Sequence, residues 1–384
     1  MTNRERFKAI AKSQRPGDLW ISDFFWRETF TAWIEQGAPP QITNATYRGQ
    51  YFGFDYSREA REILSGLVLV PFAPGGIETM LFIPPIVPQF ECKILGEEGD
   101  KLIVVNQGGQ TVKVLKNHML NMPMYLDHPV KDRETWKRYK KRLDPDIPDR
   151  WPPAWESYKE KLNSKDYPVI LNVGSLFGFL REWMGLESLL YTFYDDPNLI
   201  EDMMDTMVHL ELEVIKKAVQ DLRIDQASFW EDMCYKSGPL ISPDMFRRFM
   251  MPRYRKITDL LHENGIDIIF VDSDGNISEL IPLWLECGIN YVWPLEVAAG
   301  NDAVALRKEY GRELILGGNI DKRALIKGKP AIKEEIMSKA PFLLEKGGYF
   351  PSVDHMVPPD VTLENYQYYV NTMREVAGME KLTF

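Results

Sequence analysis

Residues 267–276 read DIIFVDSDGN. Ile268, Ile269, Phe270 and Val271 form an uninterrupted apolar run, short enough for a strand covered on both faces. The run stops at Asp272, Ser273, Asp274, Gly275 and Asn276. Residues 277–287 then repeat at helical spacing up to Gly288, a residue type suited to the position just past a helix. The stretch predicts a core strand that delivers two carboxylates into a strand-to-helix turn, which is where parallel α/β folds place their chemistry. One aspartate in such a turn also serves as an ordinary helix cap, so the reading depends on whether the layout recurs.

It recurs along the C-terminal half. Tyr167–Val173 is predicted as a strand, with a turn at Gly174–Gly178 and a helix over 179–190 that carries Arg181 and Trp183 near its start. Asp196-Pro197 opens a long helix whose Leu199, Met203, Met207, Leu210 and Val214 form a core stripe. The strand Ala227–Trp230 ends in Glu231-Asp232, and Ser242-Pro243-Asp244 opens a helix that closes at Asn264-Gly265. Tyr291–Trp293 is followed by Glu296, and Leu314–Leu316 by Gly317, Gly318, Asn319 and Asp321. Tyr349–Val353 ends in Asp354-His355, and Thr362 caps a final helix over 363–377. Six strand–helix units follow residue 167, and two more strands, one at Leu19–Phe25, are expected before it. The fold class predicted is α/β, a (β/α)₈ TIM-type barrel. A doubly wound open sheet is the runner-up, and no GxGxxG follows any strand.

The N-terminal part is different. Helices are expected over 3–13, 27–36 and within 50–65. Residues 66–125 read as an antiparallel elaboration with turns at Gly96–Gly99 and Gly108-Gly109, and 131–165 as a charged helical connection. Residues 1–384 are read as one barrel domain with these additions.

Composition narrows the function. A net charge of −10 with interspersed Lys and Arg argues against nucleic-acid binding. No apolar run approaches the roughly 20 residues needed to span a bilayer, and the charged start carries no signal-peptide segment. Cys92, Cys234 and Cys287 suit reduced thiols in the cytoplasm and supply no CxxC pair. A homodimer is the expected state for an enzyme of this size.

In a barrel, Glu231/Asp232, Asp272/Asp274, Glu296, Asn319/Asp321 and Asp354/His355 would share one rim. Carboxylates crowded there should raise one another's pKa, recruit an arginine or bind a cation.

The series FWEDMCYKSGPLISPDMFRRFMMPRYRKI, DSDGN, ELILGGNID and GGYFPSVDHMVPPDVTLEN resembles the uroporphyrinogen decarboxylase superfamily over roughly residues 165–380. The resemblance implies a (β/α)₈ barrel and one of two chemistries. These are cofactor-free decarboxylation of uroporphyrinogen, and methyl transfer involving corrinoid proteins, commonly with zinc. Members that decarboxylate uroporphyrinogen carry an Arg-x-Ala-Gly-Arg segment that holds the substrate's carboxylates. Here the corresponding region reads DFFWRETFTAWIEQG, with Arg27 alone. The thiol-methylating branch carries a His-x-Cys zinc motif. Asp272-Ser273-Asp274 occupies that place here, and Asp354-His355 lies near the place of a further cysteine ligand.

The expected activity is therefore a corrinoid-linked methyltransferase (a demethylase) of a small methoxylated or methylated compound. The alternative is a decarboxylase of a porphyrinogen or smaller acid. Asp272, Asp274, Glu231 and His355 are the catalytic candidates. Arg181, Trp183, Trp230, Asn319 and Arg27 are the substrate-binding candidates. Asp272, Asp274 and His355 would hold a divalent metal such as zinc if one is used. The corrinoid would be carried by a separate partner protein, and a decarboxylase would need no cofactor.

Overall fold

The computed structural model describes residues 1–55, 85–116, 123–151, 155–164 and 166–384. Antiparallel strands β1 (Lys93–Glu98), β2 (Lys101–Val105), β3 (Thr111–Leu115) and β4 (Met124–Asp127) form one sheet in that order. Alternation buries Leu102, Val104, Val112 and Val114 in a small core of their own. The parallel sheet follows: β5 (Ile170–Asn172), β6 (Gln226–Trp230), β9 (Ile269–Asp272), β10 (Tyr291–Trp293), β11 (Ile315–Ile320) and β12 (Tyr349–Val353). Its spatial order is the chain order, β5-β6-β9-β10-β11-β12, interrupted only by a short hairpin of β7 (Cys234–Tyr235) and β8 (Gly238–Pro239) after β6. Helices fill the crossovers, as the repeated β-then-α pattern requires.

The strand order never reverses, so right-handed crossovers put the helices on one face, which makes the sheet a barrel wall rather than a doubly wound layer, and each face has its own core. One large cluster joins its outer residues, such as Ile269 and Val271, to the helices. A second, separate cluster fills the interior with Ile268, Tyr291, Ile315 and Phe350, against Phe7, Ile10 and Ala11 of the helix Asn3–Ala11 and against Trp20. That helix closes the end where the strands begin. Arg4 pairs with buried Asp225 just before β6, Lys12 pairs with Asp267 just before β9, and the Gly348 N–H before β12 donates to the Ile10 carbonyl. The opposite end, where the strands finish, is left for the site. The fold is a TIM-type barrel.

Several sequence expectations are sharpened. Leu19–Phe25 runs beside β12 without regular pairing; among the described residues its one bridge is Phe25 to Val357. The Val353 N–H donates to Asp23 Oδ1 at 2.6 Å, which ties this segment to β12. The 179–190 helix is two helices, Gly178–Met184 and Leu186–Asp195, broken at Gly185, where a Cβ would lie 2.9 Å from the His128 ring. The expected helix over 50–65 and most of the region from 66 to 92 meet residues 56–84, which lie outside the described residues. The caps at Asp196, Ser242 and Thr362 each accept the backbone N–H three residues on.

Candidate active site at the barrel mouth

Strand register builds the site. Trp230 on β6, Asp272 on β9 and Trp293 on β10 stand side by side at one level of the sheet. Phe270, two residues earlier, is half-buried like Asp272, while Ile269 and Val271 are buried outward against the helices. Period-2 alternation therefore turns Asp272 and its two tryptophan neighbours inward. Gly317 on β11 makes room for them: a Cβ there would lie 2.9 Å from Trp293 Cδ1 and 3.0 Å from the Tyr291 ring. The Trp293 indole N–H donates to Ser352 Oγ on β12 at 3.1 Å, which fixes the ring plane.

Beyond the strands the chain turns back on itself. Asp232 takes a left-handed backbone conformation (φ 44), which aspartate tolerates better than most residues. Carboxylate oxygens of Asp232, Asp272 and Asp274 all lie within 4.8 Å of one another. Arg181 donates to the Asp232 carbonyl at 2.6 Å and reaches its Oδ2 at 3.4 Å, with the guanidinium over the Trp230 ring. Burial pushes the Asp232 carboxyl upward in pKa, the charge of Asp274 adds to this, and Arg181 opposes it. His355 Nε2 lies 3.5 Å from Asp274 Oδ2, and its ring is flanked by Trp26 and Trp293 at 6.4 and 6.3 Å. Burial disfavours its imidazolium, but the hydrogen bond and charge of Asp274 outweigh burial and its pKa is raised. Glu296 accepts from the Gly275 N–H at 3.0 Å and faces Lys322 at 3.5 Å. Gly275 has φ +83, and a Cβ there would lie 2.8 Å from Cys234 and Tyr235 backbone atoms, so the turn requires glycine.

Other expected site residues are held elsewhere. Glu231 is fully buried and points away from the mouth. It accepts from Ser175 Oγ, the N–H groups of Leu176, Phe177 and Gly178, and Tyr254 Oη. It serves the amino end of the Gly178–Met184 helix and is closed to a substrate. Asn319 is likewise buried, donating to the Leu295 and Asn301 carbonyls and accepting from the Ala303 N–H. Trp183 packs between Trp136 and Phe179 in the outer core. Asp321 caps the helix Lys322–Lys327 and pairs with Arg323, and Asp354 is buried accepting from the N–H groups of Val297 and Lys322. Asp272 and Asp274 are not helix caps, because the helix begins only at Ile281, with Pro282 in its first turn. Asn276 and Asn301 accept the N–H groups of Ser278 and Ile277 instead. Arg27 is half-buried in the first turn of the helix Arg27–Glu35, one residue past Trp26.

The site also contains residues that strand-end reasoning undervalued. Sequence reasoning singles out Glu231 at this strand end, whereas the acid that joins Asp272 and Asp274 is its neighbour Asp232; Lys322 carries no signal beyond following a strand. Trp26 stood among many aromatic residues and becomes distinctive only through His355.

The donor set suits a hard divalent cation, with three carboxylates whose oxygens lie within 4.8 Å of one another and His355 beside one of them, Asp274. It does not suit a thiolate-bound zinc. The one cysteine near the trio, Cys234, is buried, and burial pushes its thiol up to about 12.

A TIM barrel with ionisable groups gathered at the carboxyl ends of its strands defines the class as a barrel enzyme. The uroporphyrinogen decarboxylase (URO-D) family profile matches residues 100–376, and the chain belongs to that family. Uroporphyrinogen decarboxylases of Legionella pneumophila strains Paris and Corby are each 23% identical over 201 residues, covering 52% of this chain and 54% of theirs. The chain thus spans about half the length of the curated relatives it matches. A methyltransferase from Methanosarcina mazei shares the fold with a TM-score of 0.59 and 15% identity, over 98% of this chain and 99% of that one.

Proposed function

We propose that the protein is a methyltransferase that removes a methyl group from a small methylated or methoxylated compound and passes it to a corrinoid on a separate protein. The observation that carries this reading is the charge of the mouth. Asp232, Asp272, Asp274 and Glu296 gather there, and the described cations set against them are Arg181 and Lys322, with His355 beside Asp274. A porphyrinogen bearing many carboxylates would meet net repulsion, since like charges a few ångströms apart cost on the order of 1–4 kcal/mol per pair. A small, flat or apolar donor meets instead the walls formed by Phe24, Trp26, Phe270 and Trp293. The name of the Methanosarcina neighbour agrees with this reading.

If a divalent cation is part of the enzyme, Asp232, Asp272, Asp274 and His355 are the residues that would hold it. Bound there, it would supply Lewis-acid polarisation of a leaving oxygen or nitrogen. The chain's own residues do the rest. The tryptophan walls exclude water and orient the donor, Arg181 anchors Asp232, and Asp274 keeps the His355 ring turned toward the carboxylates. Orientation of this kind is itself a large part of a group-transfer barrier.

Decarboxylation of a small acid is the second reading, favoured by the family and by Arg181 and Lys322 as carboxylate partners. The two separate in one experiment: purified protein is assayed for metal content, for methylation of a reduced corrinoid protein, and for CO₂ release from small acids. Methyl transfer that drops at least about 100-fold in Asp274→Asn supports the first. CO₂ release with no methylated corrinoid from any donor rejects it.

A further inference from the structure

In the row Trp230–Asp272–Trp293, neighbouring strands set a carboxylate between two indoles, all three turned into the barrel. The mouth already shows which charge such walls accept. The Arg181 guanidinium lies 5.4 Å from the Trp230 ring centroid. An indole face attracts cations through its quadrupole, most strongly the bulky, weakly hydrated kind. A carboxylate flanked by indoles therefore selects a soft organic cation over a neutral isostere of equal shape.

We propose that the methyl donor is a methylated ammonium compound, its positive nitrogen held by Asp272 with the N-methyl groups against Trp230 and Trp293. This rests on the methyl-transfer reading. The chemistry agrees with the charge of the site. The carbon–nitrogen bond breaks with its electron pair staying on nitrogen. The methyl carbon bonds to an electron pair of the acceptor, a reduced corrinoid carried by a separate protein. The donor leaves as a neutral amine, so no proton donor is needed for the leaving group. A methoxy donor would instead leave as an anion among carboxylates gathered within 4.8 Å of one another. An ammonium group and a divalent cation would compete for the same oxygens, so the test uses chelator-treated protein.

Isothermal titration with choline and with 3,3-dimethylbutan-1-ol, its neutral carbon analogue, reads the inference directly. Choline is expected to bind at least about tenfold more tightly than the analogue. Asp272→Asn should erase that difference, and Trp293→Phe should weaken choline by about threefold with little change for the analogue. Asp274→Asn provides a second charge deletion, expected to narrow the difference, should Asp272→Asn fail to fold. Equal affinities, or no saturable choline binding, overturn the proposal. Methyl transfer from a methoxylated donor alone would also overturn it while leaving the methyltransferase reading intact. Failure of the broader reading looks different: no donor of either class methylates the corrinoid protein, whatever the affinity for choline.

Discussion

Glu211 lies buried on the helix Pro197–Asp221, its carboxyl against Gly174 at the end of β5, and its Oε2 has no hydrogen-bond partner among the described residues. Burial raises its pKa from 4.5 to about 8, and the charge of Arg150 opposes this only in part. The folded state therefore binds a proton that the unfolded chain has released. The stabilisation is whole below about pH 4.5 and is lost as the pH rises toward about 8. Each unit of difference is worth ~1.4 kcal/mol, so the loss should amount to a few kcal/mol. Glu211→Gln should flatten urea-denaturation stability between pH 5 and 8. Parallel decline of the two proteins across that window would show that Glu211 is not the titrating group. The same scale explains what the sequence could and could not resolve at the mouth. Glu231 and Asp232 are adjacent acids at a strand end, and nothing in their spacing says which one faces inward. One is consumed by five donors and the other meets Arg181 and Asp274.

Among the elements, the turn after β5 shows how a buried charge organises a loop. The N–H groups of Phe177 and Gly178, at the N-cap and first position of the helix, are donors that a helix start leaves without intrahelical partners, and Glu231 accepts both together with the N–H of Leu176 just before them. Glu231→Ala would leave these donors and the Tyr254 hydroxyl buried without an acceptor. We expect a loss of about 3 kcal/mol or more in thermal or urea unfolding. Restoration of near-normal stability by Glu231→Gln would be inconsistent with this account, because the amide presents N–H groups to donors. The strands themselves were legible because their apolar runs are short and end in polar residues. The register that aligns Trp230, Asp272 and Trp293 was not, because it depends on how neighbouring strands slide against each other. The Leu19–Phe25 segment was recognised as extended, yet among the described residues it bridges only from Phe25 to Val357, past the end of β12, its Asp23 carboxylate having taken the Val353 N–H.

At the level of the whole molecule, the barrel has a closed end and a working end. Phe7 of the N-terminal helix packs in the interior against Trp20 and Phe350, with ring centroids 5.4 and 5.2 Å away. Phe7→Ala should cost about 3–5 kcal/mol in denaturant unfolding, the usual price of emptying an aromatic core site. Ligand affinity at the mouth should stay unchanged, since the helix lies at the opposite end of the strands. A stability loss below about 1 kcal/mol would mean that the helix is not a plug. The sequence by itself determined the repeated strand–helix order, the barrel class, the family resemblance and the rule that acids collect at strand ends. Those follow from local periodicity and from residue types that recur along the chain. Only the tertiary structure decided which acids share the mouth, because the role of a carboxylate is set by partners from distant segments. Asp274 meets His355, and Asp232 meets Arg181, by virtue of strands closing around one axis. Glu231, one residue away from Asp232, was turned by the same closure into a support for the wall.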